Sequence, residues 1–166
     1  MMLQSMARKF RSMRDQSAFT LVWLFPAWLL LGIYRALILT LPLKRMAPFY
    51  GEDIGVATWI PLAGPDDIRR AMDIRSTVAI ASRYCPWTAN CYPKALAARS
   101  LLRLYRVPHA IYFGLAREPA TGDLAAHAWV MAGPVAVSGG GASFGRYRVV
   151  RMFLDQASAP APGKAV

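Results

Sequence analysis

The sequence predicts an α+β domain, helices first and antiparallel strands after, and three observations predict it. An apolar run at 18–43 is far too long for a strand. Two later segments, opening at Pro65 and Asn90, repeat apolar residues at helical spacing. The runs around His109 and His127 instead alternate, are rich in aromatic and branched residues, and are bounded by Gly and Pro, as strands joined by turns are. At 166 residues and 55% hydrophobic, the chain can bury a real core and is expected to be ordered except at its end, where 156–166 ("ASAPAPGKAV" from Ala157) is low-complexity and expected to be disordered. Residues 1–64 read as an apolar, basic-flanked helical segment and linker, and 65–155 as the main domain.

The apolar run, "AFTLVWLFPAWLLLGIYRALILTLPL", has the length of a membrane span but contains Pro26 and Arg35. Arg8, Lys9, Arg11 and Arg14 precede it, and Lys44 and Arg45 follow it. It lacks the small-residue cleavage site of a signal peptide. Two readings stay open: a buried or interfacial helix, broken near Pro26, and a true span. An arginine at mid-bilayer costs about 2.5–3.5 kcal/mol on insertion scales, which favours the first. The stretch 49–65, rich in Gly and Pro, reads as a linker or irregular crossing.

"PDDIRRAMDIRSTVAIAS" then opens as a helix should. Pro65 lacks an N–H where none is needed, and Asp66 and Asp67 meet the positive end of the dipole. Ile68, Ala71, Met72, Val78 and Ala79 are its expected buried stripe. After the loop "CPWTAN", Asn90 is placed as an N-cap and Cys91 as the first residue of a helix running to about Arg106. Pro93 is tolerated in the first turn. Cys91, Ala95, Ala98, Leu102 and Tyr105 are expected on one side of this helix, and Arg99, Arg103 and Arg106 on another, basic side.

Composition narrows the function. Seven Lys/Arg face one acid over 1–50, three face five over 51–80, and nine face two over 81–154. A basic balance suits nucleic acid, an anionic membrane surface or an acidic peptide, but no nucleic-acid module signature accompanies it. The two cysteines, Cys85 and Cys91, form neither a disulfide framework nor a zinc spacing, so a reducing, cytoplasmic setting with no metal is expected.

A thiol at a helix start meets the dipole and the unpaired N–H groups, both of which favour the thiolate, so Cys91 is the candidate nucleophile. The bland alternative is a small apolar core residue. His127, between Ala126 and Ala128, has steric room for a partner and is the candidate base; Trp129 points to the same face. The alternative for His127, and the reading for His109, is a structural histidine. Cysteine and histidine need only meet in space. The order helix with Cys, strand, strand with His is the one used by papain-like and transglutaminase-like enzymes.

The runs "CPWTANCYPKALAARSLLRLYRVPHAIYFGLA", "GDLAAHAWVMAG" and "VSGG" closely resemble the leader peptidase of lasso-peptide biosynthesis, the microcin-processing B protein of the transglutaminase-like superfamily. The features that carry the resemblance are Pro86-Trp87 ahead of Asn90-Cys91, Ala95-Leu96, Leu101-Leu102, Gly114 and Ala126-His127-Ala128-Trp129, within about 65–154. It implies a papain/transglutaminase-like cysteine-protease core, with N-terminal helices and a catalytic helix packed on an antiparallel sheet. It also implies removal of the leader from a ribosomally made precursor, with Cys91 as nucleophile and His127 as base. The backbone N–H of Cys91, helped by Asn90 or Thr88, would form the oxyanion site, and Trp87 and Trp129 would line the cleft.

In such proteins an acidic residue about 12 positions after the histidine often orients it. Here "SGGGASFG" stands there, leaving Ser138 or a backbone carbonyl for that role, or a Cys–His dyad. No cofactor is implied. The implied partners are the precursor, a separately encoded leader-recognition protein (residues 1–64 do not resemble that element), and an ATP-dependent asparagine-synthetase-like cyclase. The competing readings are another transglutaminase-like acyl transferase, which hands the acyl group to an amine, and a non-catalytic basic protein held at a membrane through 18–43.

Overall fold

A computed structural model describes residues 17–119, 121–140 and 142–155. The expected disorder of 156–166 falls outside the described residues. The first helix, α1, spans Ala18–Thr40 and runs unbroken through Pro26, so the expected break does not occur. The Ser17 hydroxyl accepts from the Thr20 N–H at 3.2 Å and caps it. Thr20, Ala27, Leu31 and Tyr34 form its buried face. That face lies on α2 (Pro65–Arg83) and α3 (Cys91–Leu104), with Tyr34 Oη and Ser100 Oγ 2.6 Å apart. The opposite face of α1 is apolar and exposed: Leu21, Val22, Phe25, Leu29, Ile33 and Leu39. By length and composition alone α1 is able to cross a membrane.

Helix α2 starts as its sequence dictates. Pro65 is the first helical residue, and the Asp67 carboxylate accepts from the Gly64 N–H at 3.1 Å. The buried stripe, however, is Ala71, Ile74, Thr77, Val78 and Ala81, while Met72 and Ala79 are exposed. Ala71 and Val78 of the expected stripe are buried and Ile68 packs against the core, whereas Met72 and Ala79 are replaced by Ile74 and Ala81, which continue the i, i+3, i+4 series from Ala71.

Helix α3 begins at Cys91 as expected and closes at Leu104. Its end is a Schellman turn: the Val107 N–H donates to Leu102 O, the Arg106 N–H donates to Arg103 O, and Arg106 sits at φ +55°. The expected basic side is corrected. Arg99 is buried and its guanidinium donates to Asp155 at 2.9 Å, leaving only Arg103 and Arg106 exposed.

Among the described residues five strands follow an antiparallel scheme in the order β1-β5-β2-β3-β4, with β1 Glu52–Gly55, β2 Ala110–Arg117, β3 Leu124–Ala132, β4 Val135–Ser138 and β5 Arg148–Leu154. The linker expected over 49–65 therefore contains an edge strand, β1, paired with β5. A four-residue strand with two carboxylates carries too little alternation to be read locally. Residues on both sides of position 64, among them Leu31, Tyr50, Val78 and Leu101, share one core.

Period-two alternation sorts the sheet. Ile111, Ala128, Val130, Ala132 and Phe153 join the core formed with the helices, whereas Tyr112, Trp129, Met131 and Met152 form a second cluster closed by Phe144 and Tyr147. The result is an α+β fold with helices packed on an antiparallel sheet, as the sequence predicts.

Candidate active site

Cys91 occupies the first position of α3. Tyr92 and Pro93 turn inward beside it, the Tyr92 ring 5.5 Å from that of Phe113 and its hydroxyl bonded to that of Tyr50. This pins the start of the helix while Cys91 stays half-buried at the surface. Asn90 is in the N-cap position with extended ψ, but its side chain makes no capping bond. In that position and in the first turn, N–H groups have no intrahelical partner. Lys94, one turn on, places a cation where helices favour carboxylates, and the first turn of α3 holds none.

His127 sits on β3 where β4 has already ended, since Val130 is the partner of Ser138. On its other side it pairs with Gly114. A Cβ on Gly114 would lie 2.8 Å from the Trp129 ring and 2.9 Å from Tyr147, so glycine is what lets both close around the imidazole. Tyr147 stacks on His127 at 4.5 Å and Trp129 at 5.8 Å. Nε2 of His127 lies 3.1 Å from the carbonyl oxygen of Gly139. A carbonyl only accepts, so Nε2 carries the proton and Nδ1 is the basic atom. The Ser143 hydroxyl donates to the same carbonyl at 2.8 Å. Gly139 has φ +84°, and a Cβ there would stand 2.3 Å from Trp129 Cβ and 3.0 Å from His127 Nε2. Only glycine fits.

The structure brings Cys91 and His127 to one open cleft of about 560 Å³, walled by α2, the start of α3, β4 and the turn at Gly139 and Gly140. Of the groups expected beside His127, it is a backbone carbonyl, that of Gly139, that lies within hydrogen-bond distance of its Nε2. Ser138 lines the cleft, but its buried hydroxyl has no partner among the described residues. Asn90 and Thr88 are exposed at the head of α3, outside the cleft lining.

The two tryptophans are corrected. Trp129 is wholly buried between Tyr112 and Phe144 on the far cluster. Trp87 is turned the other way, 4.8 Å from Trp28 and over Gly32, where it ties the 85–90 loop to α1. Gly139, Ser143 and Tyr147 were missed; the only trace of them in the sequence is the glycine run itself.

The second cysteine is unlike the first. Cys85 packs against the core, its thiol 3.5 Å from the Ala81 carbonyl, and burial pushes its pKa up, with Lys94 offsetting part of the effect. His109 is 1% exposed and donates from Nδ1 to the Val107 carbonyl at 2.7 Å. Its Nε2 lies 3.7 Å from Asp155, and burial holds its pKa down at about 4. It belongs to a structural cluster with Arg99. Among the described residues no group of His, Cys, Asp and Glu is placed to hold a metal.

No curated protein and no solved structure matches the chain. A family model described as the transglutaminase-like superfamily matches residues 37–152, from the last turn of α1 into β5 and so across both Cys91 and His127. With helix-borne cysteine, strand-borne histidine and an antiparallel sheet in that order, the chain belongs to the transglutaminase-like superfamily.

Proposed function

We propose that this protein is a cysteine peptidase that removes the leader from a ribosomally made lasso-peptide precursor before macrolactam closure. The observation that carries the chemistry is the shared cleft of Cys91 and His127 with the histidine tautomer set by Gly139 O. The choice of substrate rests on the resemblance of the runs at 85–116, 122–133 and 137–140 to that leader peptidase.

In the proposed reaction His127 Nδ1 takes the Cys91 thiol proton and the sulfur attacks the scissile carbonyl. The N–H of Cys91, at the open end of α3, receives the oxyanion; one such donor is worth about 3 kcal/mol. The imidazolium then gives its proton to the leaving amine. Water, deprotonated by His127, attacks the thioester, releasing a carboxylate and restoring the thiol. A neutral carbonyl steadies the imidazolium less than a carboxylate would, so His127 works with a weaker third member.

Leader recognition is assigned to a separately encoded protein, and the freed core to an ATP-dependent asparagine-synthetase-like cyclase. The reading places the enzyme in the cytoplasm, with the exposed apolar face of α1 available to the recognition protein or a membrane surface. Incubation with the neighbouring precursor and recognition protein, followed by mass spectrometry, tests this. Leader and core masses are expected from the wild type, none from Cys91→Ala, and a rate lower by about 10²–10⁴ from His127→Ala. Exclusive formation of an amide adduct with an added amine would make the enzyme an acyl transferase. Cleavage by Cys91→Ala at the wild-type rate would refute the assignment.

A further inference from the structure

Three cations line the cleft of Cys91 and His127: Arg75 and Arg83 from α2 and Lys94 from α3. No carboxylate lines it, and none of the three has an ion-pair partner among the described residues. Elsewhere Arg69, Arg70, Arg99, Arg103, Arg146 and Arg151 each face an acid. Lys94 adds its charge to the positive end of α3, where an ordinary helix would carry Asp or Glu. A cleft walled by low-dielectric protein focuses such a field. Ser138, 8% exposed on the same wall, holds a hydroxyl with no partner among the described residues, a donor left for a ligand.

We infer that the cleft selects an acyl donor carrying a carboxylate close to the scissile bond, held by Arg75, Arg83 and Lys94, with Ser138 donating to the bound chain. This rests on Cys91 being the reactive thiol. Two sources supply the same chemistry: an Asp or Glu side chain and a peptide C-terminus.

Iodoacetate and iodoacetamide, an anionic and a neutral reagent for one thiol, test the inference in full-length protein carrying Cys85→Ala. The ratio of their rates at Cys91 is referred to the same ratio for N-acetylcysteine and read by mass spectrometry. Relative to that reference, iodoacetate is expected to gain about tenfold at low salt, a gain that shrinks in 0.5 M NaCl (about, by screening) and falls at least about threefold in Arg75→Gln/Arg83→Gln.

Three short peptides then compete with iodoacetamide: one amidated with an internal Glu, one neutral with a free C-terminus, and one neutral and amidated. Protection by the first or second beyond the third supports the inference, and the better of the two names the source. A ratio no higher than that of N-acetylcysteine, or equal protection by all three peptides or by none, overturns it while leaving Cys91 reactive. Failure of Cys91 to react with either reagent overturns the proposed nucleophile, and the inference with it.

Discussion

His109 makes stability depend on pH in a direction the structure determines. Its ring is enclosed at the junction of α3, β2 and β5, and the charged groups facing it are Arg99, Arg103 and Asp155. With a neutral ring, Arg99 and Asp155 balance; a proton on His109 would add a buried cation beside Arg99. Burial therefore holds the folded pKa at about 4 against 6.5 for the free side chain.

Between those values the unfolded chain binds a proton that the folded chain refuses. Stability is thus fully present above pH 6.5 and is lost as pH falls toward about 4. A separation of about 2.5 between the two pKa values corresponds to about 3 kcal/mol, a large part of the stability of a domain this size. Urea denaturation followed by circular dichroism at pH 7.5, 5.5 and 4.5 (about) measures it. The wild type should lose about 2.5 kcal/mol of this across that range and His109→Gln much less, although the variant starts lower at pH 7.5. Parallel pH profiles for the two proteins would refute the reasoning.

Three more outcomes follow from the same contacts. Gly139→Ala combines φ +84° with a Cβ 2.3 Å from Trp129, so it should cost at least about 2 kcal/mol and displace the carbonyl that orients His127; the His127 NMR resonances and precursor cleavage report it, and wild-type values in both would contradict the tautomer assignment. Asp155→Ala leaves Arg99 buried without its carboxylate and should cost about 3–5 kcal/mol in urea denaturation, whereas Arg151→Ala, whose pair with Asp53 is exposed, should cost under about 1 kcal/mol. Gly32→Ala places a methyl 2.8 Å from the Trp87 ring and should release the 85–90 loop from α1, seen as faster amide exchange at Thr88–Cys91 without loss of the sheet signals.

What the sequence determined by itself was local. Asn90, Cys91 and Pro93 start a helix at Cys91 because each suits its own position in the first turn, and alternation around His127 makes a strand without knowledge of its neighbours. The same local rules predict Pro65, Asp66 and Asp67 at the head of α2. Other decisions belonged to partners far away along the chain. Arg99 reads as a surface cation until Asp155, 56 residues on, enters the core beside it. The strand Glu52–Gly55 exists because β5 offers it an edge. Trp87 and Trp129 are cleft residues in the reading that the family resemblance implies, yet each is claimed by a packing surface, α1 for one and the Tyr112–Phe144 cluster for the other. The member that orients His127 is a main-chain carbonyl, which every residue possesses. Only the φ of Gly139 and the bodies of Trp129 and His127 packed against its missing Cβ decide that this carbonyl is the one in place.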